Sequence, residues 1–210
     1  MKNQKLIVTI GRQYGSGGHE VGEKLAQKLG VELYDKNILR MNSDESGIKE
    51  SYFHLADERP GNRLLYRIIS SLKPEDTEPS FGSDMISADN LFRFQSDVIR
   101  KLADEESCVI IGRCAGYVLD GEKDLVRIFI YSDMGKRIQR ITEKEYYAPE
   151  DVEKNIKRID RERREYYRYY TGKEWGNPEN YDLLINTSKL GVDKTVEVIA
   201  DYLREAGYEV

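Results

Sequence analysis

Ten residues, Gly11-Arg12-Gln13-Tyr14-Gly15-Ser16-Gly17-Gly18-His19-Glu20, stand between a β-branched run and an amphipathic pattern. A strand that passes through glycines into a helix aims several backbone N–H groups, and the positive end of the helix dipole, at one point. That arrangement suits a phosphate. The usual spacing is glycine, four residues, then Gly-Lys-Ser/Thr, the lysine serving the outer phosphates and the hydroxyl serving Mg²⁺. With Gly17 as the second glycine, Arg12 stands at the first position, Gly18 at the lysine's and His19 after it. What remains is Gly15-Ser16-Gly17-Gly18, with Arg12 and His19 partly restoring the charge. A plain turn needs one glycine, whereas four within eight residues cost conformational entropy on folding, so phosphate binding is the expected use.

A second candidate group follows from the rule that ligands collect beyond the carboxyl ends of parallel strands. Gly112-Arg113 ends one apolar run and Asp35-Lys36 another. An arginine there offers a planar, two-pronged grip on a phosphoryl oxygen. Asp35 can orient a hydroxyl or help to hold hydrated Mg²⁺. The third group lies in Pro149–Tyr170, where arginines and lysines alternate with acidic residues. Most of these charges read as a solvated helix laced with ion pairs, Asp160 with Arg163 or Arg164 among them. Phosphoryl transfer gives such a helix a further use, because a basic lid meets the charge on the transferred group and excludes water.

The elements that must position these residues read as alternating strands and helices. Lys5–Ile10, Val31–Asp35, Cys108–Ile111, Leu125–Tyr131 and Asp182–Asn186 are short apolar runs, continuous rather than alternating. That fits strands covered on both faces of a parallel sheet. The helix after the glycine loop closes at Gly30, Ser132 or Asp133 caps the helix after the fourth run, Pro149 suits a helix's first turn, and Val192–Gly207 is a closing helix. From about Lys36 to Asp89 the chain is polar and broken by Pro60, Pro74 and Pro79, with an amphipathic piece at Leu64–Leu72; it reads as an insertion.

Composition narrows the classes. A net charge of −5 argues against a non-specific grip on nucleic acid, and no apolar run approaches the roughly 20 residues that span a bilayer. The two cysteines, Cys108 and Cys114, make neither a disulfide framework nor a metal site. The expectation is a cytoplasmic protein of one domain, with small-molecule partners.

The chain resembles the cytidylate kinase-like proteins, relatives of the nucleoside monophosphate kinases in the P-loop superfamily. The resemblance rests on Ile10 to Gly18, Tyr34-Asp35-Lys36, Val109 to Cys114, Asp160-Arg161-Glu162-Arg163 and Tyr181 to Ser188, in that order along nearly the whole chain. It implies a three-layer α/β fold with a five-stranded parallel sheet: a core of residues 1–35, 90–145 and 176–210, an acceptor-binding insertion at 36–89 and a lid at 146–175. It implies transfer of the ATP γ-phosphate, with Mg²⁺, to a nucleoside monophosphate, CMP or dCMP first. Arg12, Gly15, Ser16, Gly17, Gly18 and His19 would hold the donor phosphates, and Ser16 or Glu20 would hold the metal. Arg113, Asp160 and Arg163 take the catalytic places, serving the acceptor together with Asp35. The chain departs from the pattern where Gly18 replaces a lysine, Glu20 a threonine or serine, and Cys114 an aspartate. A carboxylate at Glu20 repels phosphate unless Mg²⁺ or Arg12 stands between. Two further readings follow from the missing lysine and the open acceptor: a nucleotide-binding protein that signals without catalysis, and a kinase whose acceptor is not a nucleotide.

Overall fold

The computed structural model describes residues 5–35, 88–144 and 148–210. In chain order the strands are β1 (Ile7–Arg12), β2 (Glu32–Tyr34), β3 (Cys108–Ile111), β4 (Leu125–Tyr131) and β5 (Leu183–Asn186). The helices are α1 (Gly18–Leu29), α2 (Ala88–Glu105), α3 (Ala115–Val118), α4 (Met134–Glu143), α5 (Val152–Thr171) and α6 (Thr187–Glu205), with 3-10 turns at Pro149–Asp151 and Pro178–Asn180. The strands form one sheet in the order β2-β3-β1-β4-β5. Ile7 pairs in parallel with Cys108 on one side and Leu125 on the other, and Ile128 with Leu183. This is the three-layer α/β fold read from the sequence.

Both faces of the inner strands β1, β3 and β4 are largely buried, which is why their hydrophobicity runs without alternation. Val8, Ile10, Val109, Ile111, Ile128 and Ile130 face Val21 and Leu25 of α1 and Val196, Ile199 and Leu203 of α6. Ile7, Cys108, Ile110 and Phe129 are buried as well. β3 and β4 match the expected runs to the residue, whereas β1 extends two residues further, through Arg12. The last helix starts at Thr187 rather than Val192 because Asn186 caps it, accepting the Ser188 N–H. Its regular part follows a break at Gly191 (φ 71°), so the glycine separates a first turn from the expected helix.

The chain divides into two compact units, residues 1–33 with 107–210, and residues 34–106. The second unit, with α2, reaches past the expected insertion at 36–89. The amphipathic piece at Leu64–Leu72 lies outside the described residues. In the first unit the expected lid region contributes α5, whose Val152 and Ile156 pack with Ile141 of α4.

Candidate active site at the carboxyl end of the sheet

β1 delivers the chain to Gln13, and Gly15 (φ 76°) and Gly17 (φ 82°) then take the left-handed backbone that glycine adopts without steric cost. Around this turn every carbonyl from Arg12 to Ser16 is held from outside the glycines. Arg163 of α5 donates to Arg12 O (3.0 Å), Ser16 Oγ to Gln13 O (2.8 Å) and Arg137 of α4 to Tyr14 O (2.7 Å). Arg140 donates to Gly15 O and Thr187 of α6 to Ser16 O (2.8 and 2.7 Å). In a trans peptide the N–H points opposite to the C=O of the same unit. Fixing Tyr14 O and Ser16 O therefore turns the N–H groups of Gly15 and Gly17 the other way, and neither has a partner among the described residues. The Gly15 and Gly17 amides are left as donors just ahead of the N-terminus of α1, the kind of arrangement that suits an anion.

Asp160 anchors the outer shell. It is 7% exposed, accepts the Tyr14 N–H (2.8 Å) and is ion-paired with Arg137, itself 4% exposed. The sequence expectation of an ion pair with Arg163 or Arg164 is corrected here. One carboxylate oxygen is committed to the Tyr14 N–H and the other to the guanidinium from α4. Arg163 stacks its guanidinium over the Tyr14 ring, 5.6 Å from the centroid. Burial lowers its pKa from the ordinary arginine value, with Asp160 and Tyr14 opposing the shift.

The remaining candidates fall as follows. Ser16 is fully buried, its hydroxyl donating to Gln13 O and accepting from Gly18 N–H (3.3 Å). Gly18 begins α1 and is buried. His19 is exposed, 3.5 Å from Glu23, and Glu20 lies 3.8 Å from Lys24 along the outside of α1. Asp35 follows β2, is 2% exposed and belongs to the second unit. Among the described residues no cluster of three or more His, Cys, Asp or Glu could hold a metal.

At the end of β3 three consecutive residues, Gly112, Arg113 and Cys114, have positive φ (78°, 54° and 56°). Two adjacent non-glycine residues in this region carry backbone strain, a mark of a position held for its side chain. Arg113 meets Tyr166 of α5. Burial raises the Tyr166 hydroxyl's pKa, and the charge and hydrogen bond of Arg113 oppose the rise. Cys114 is buried and its thiol is pushed up to about 12, against the pull of Arg113, so it stays protonated at neutral pH and is not a nucleophile. Tyr170 meets both Tyr166 and Tyr169 edge-on, and Trp175 meets Phe129 in the same way.

Arg137 and Arg140 lie outside the motifs legible in the sequence, whereas Gln13 and Thr187 lie within them but carry no expected role. Gln13 accepts the Ser132 N–H (3.1 Å), tying the loop to the end of β4. Arg137 and Arg140 sit three apart on α4, a spacing that a solvated helix face shares. Only their positions just after a strand's carboxyl end carried a signal.

The chain matches the model of the cytidylate kinase-like family over residues 7–189. Among curated proteins it is similar to cytidylate kinases from Pyrococcus horikoshii (26% identical; 99% of this chain, 94% of that protein) and Methanosarcina mazei (25%; 92% and 94%). Among solved structures it is similar to an uncharacterized protein from Eubacterium ventriosum, at TM-score 0.70 and 27% identity, covering 95% of this chain and 99% of the other. A shikimate kinase from Acinetobacter baumannii in complex with shikimate, at TM-score 0.52 and 13% identity over 99% and 97% of the two chains, shares the fold.

Proposed function

The chain belongs to the cytidylate kinase-like family, and from that premise we propose that it transfers the γ-phosphate of ATP to a nucleoside monophosphate, with CMP or dCMP the first candidates. One observation carries the reading: Arg137 and Thr187, from two different helices, hold Tyr14 O and Ser16 O and so turn the Gly15 and Gly17 amides away from those partners, as donors for a ligand. Such a set of donors is preorganised for phosphate oxygens, and preorganised donors stabilise charge without reorganising during the reaction.

In this mechanism the loop amides and the N-terminus of α1 hold the donor phosphates. Arg113, presented on strained backbone at the end of β3, grips the acceptor phosphate in a bidentate manner. Phosphoryl transfer asks for positioning and charge stabilisation rather than covalent chemistry from the protein. Asp160 and Arg163 act one step removed: they fix the loop's Tyr14 N–H and Arg12 carbonyl, and so place the amides. Mg²⁺ suits the site through the phosphates themselves, since it keeps several waters and needs only one or two protein oxygens. Glu20, on the first turn of α1, is the candidate to supply one, and the ion would neutralise charge on the donor phosphates.

The test is incubation with Mg·ATP and each common nucleoside monophosphate, with diphosphate formation followed by chromatography. Arg113→Ala, run in parallel, controls for a contaminating kinase. Diphosphate from CMP or dCMP that the variant fails to make supports the reading. Absence of product from every acceptor, with a melting temperature that still rises with nucleotide, would transfer support to a binding protein without transfer.

A further inference from the structure

The usual phosphate loop carries glycine at its first position and lysine directly after its second glycine. Here the two residue types are exchanged in kind: the first position is Arg12, and the lysine position is Gly18. Geometry ties the two changes together. A Cβ at position 18 would lie 2.5 Å from the Arg12 Cβ and 3.0 Å from its Cγ, with the Ile130 Cβ at 3.3 Å on the other side. The Arg12 Cβ is bonded directly to the β1 backbone and cannot swing aside as the end of a long side chain can. Positions 12 and 18 thus have room for one side chain between them.

From there the arginine runs across the first residue of α1 to the end of β3. A Cβ on Gly112 would overlap its Nη1 and lie 3.2 Å from its Cζ. The guanidinium accordingly rests on Gly112, next to Arg113 and at the edge where β1 and β3 end. A bare Gly18 admits its stem, and a bare Gly112 admits its head.

We propose that Arg12 is the phosphate-binding cation of this loop, reaching from the strand side into the place that a lysine reaches from the helix side, and that Gly18 is glycine because Arg12 occupies its space. The proposal rests on the reading above that the loop holds donor phosphates, and it removes that reading's main difficulty. The loop has not lost its cation; it has moved it six residues earlier. A guanidinium is a planar fork whose shape matches two phosphate oxygens.

The exchange predicts a reciprocal mutational pattern, read by calorimetric titration with Mg·ATP and by thermal melting of the full chain. Arg12→Gly should weaken Mg·ATP binding about tenfold or more, the loss expected for a charge-assisted hydrogen bond. Arg12→Lys should bind between parent and Arg12→Gly. Gly18→Lys alone should lower the melting temperature and weaken binding, because the new Cβ collides with Arg12. The double variant Arg12→Gly/Gly18→Lys should regain both, melting above Gly18→Lys and binding more tightly than Arg12→Gly. Three results would overturn the proposal while leaving the loop's role intact: parent-like ATP affinity in Arg12→Gly, a Gly18→Lys that melts and binds like the parent, or a double variant no better than either single. A parent that binds no Mg·ATP, with a melting temperature unmoved by it, would overturn the phosphate reading itself and this proposal with it.

Discussion

Toward the amino end of the sheet, Arg127 of β4 is matched by carboxylates: its guanidinium donates to Asp182 (3.0 and 3.2 Å) and to Asp120 (3.3 Å), and its backbone N–H donates to Asp182 as well. At the carboxyl end the pattern is different. Arg137, Arg140 and Arg163 donate to backbone carbonyls of the glycine loop, and Arg137 also pairs with a single buried carboxylate, Asp160. Arg12 lies across the same turn. One end of the sheet closes its charges on itself, and the other spends arginines on orienting backbone. Self-neutralised ion pairs join strands, whereas arginines that hold backbone carbonyls orient the amides that a polyanionic ligand would meet.

The comparison breaks most readily at the buried pair. Removing one partner of Arg137–Asp160 strands the other charge in the interior, so Asp160→Ala should destabilise the fold by about 3–5 kcal/mol in chemical denaturation. It should also weaken Mg·ATP binding, because the Tyr14 N–H loses its acceptor. Replacing both partners by apolar residues should cost less than either single change. A single variant as stable as the parent would mean that the pair does not carry the loop. Arg140→Ala is milder. The side chain is half-buried and gives one charge-assisted bond to Gly15 O, so the expected loss is about 1.5–3 kcal/mol in ATP affinity with little change in melting. A large drop in stability with unchanged affinity would reverse the distinction between the two ends.

The same contrast explains which parts were legible in the sequence. The strands were, since β-branched runs buried on both faces leave an unbroken signal, and β3 and β4 fall where expected. The glycine loop was legible because left-handed backbone at Gly15 and Gly17 demands a residue type that stands out. Arg113 was legible through its place after a strand. The outer shell was not. Arg137 reaches Tyr14 across 123 residues of chain and Thr187 reaches Ser16 across 171, and neither residue type is unusual where it stands. Asp160 and Arg163 drew attention as neighbours on one helix, yet the carboxylate is paired 23 residues back. Local spacing reports local pairing, and a buried charge answers to whichever partner the packing supplies. The crowding of Arg12 against Gly18 lay equally beyond any pattern, because it depends on how closely β1 and α1 approach.

Arg113 tests whether strain at the carboxyl end is held for function. Its left-handed backbone costs roughly 1 kcal/mol or somewhat more relative to glycine. Arg113→Gly should therefore fold with equal or slightly greater stability, the relief offsetting the lost contact with Tyr166, while diphosphate formation falls far below that of the parent. Loss of stability together with loss of activity would make the residue a structural one. Retained activity would remove it from the acceptor site.

The smallest effect is expected at the amino end, and it carries a pH signature of its own. Burial would raise the Asp182 carboxyl, but the hydrogen bonds from the Arg127 side chain and backbone outweigh it and hold the pKa below the ordinary value of 3.8. A carboxylate with a lowered native pKa contributes stability above the unfolded-state value and loses it as pH falls from there through the native value. Asp182→Asn should thus reduce stability at neutral pH by less than about 1 kcal/mol, since the pair is partly exposed and screened by solvent. The difference from the parent should shrink as the pH drops below about 3.8, while Mg·ATP affinity stays at the parent's value throughout. A change in affinity would show that the amino end is coupled to the loop through β4. A stability difference that persisted unchanged into acid would mean that Arg127 does not act on the carboxylate's charge.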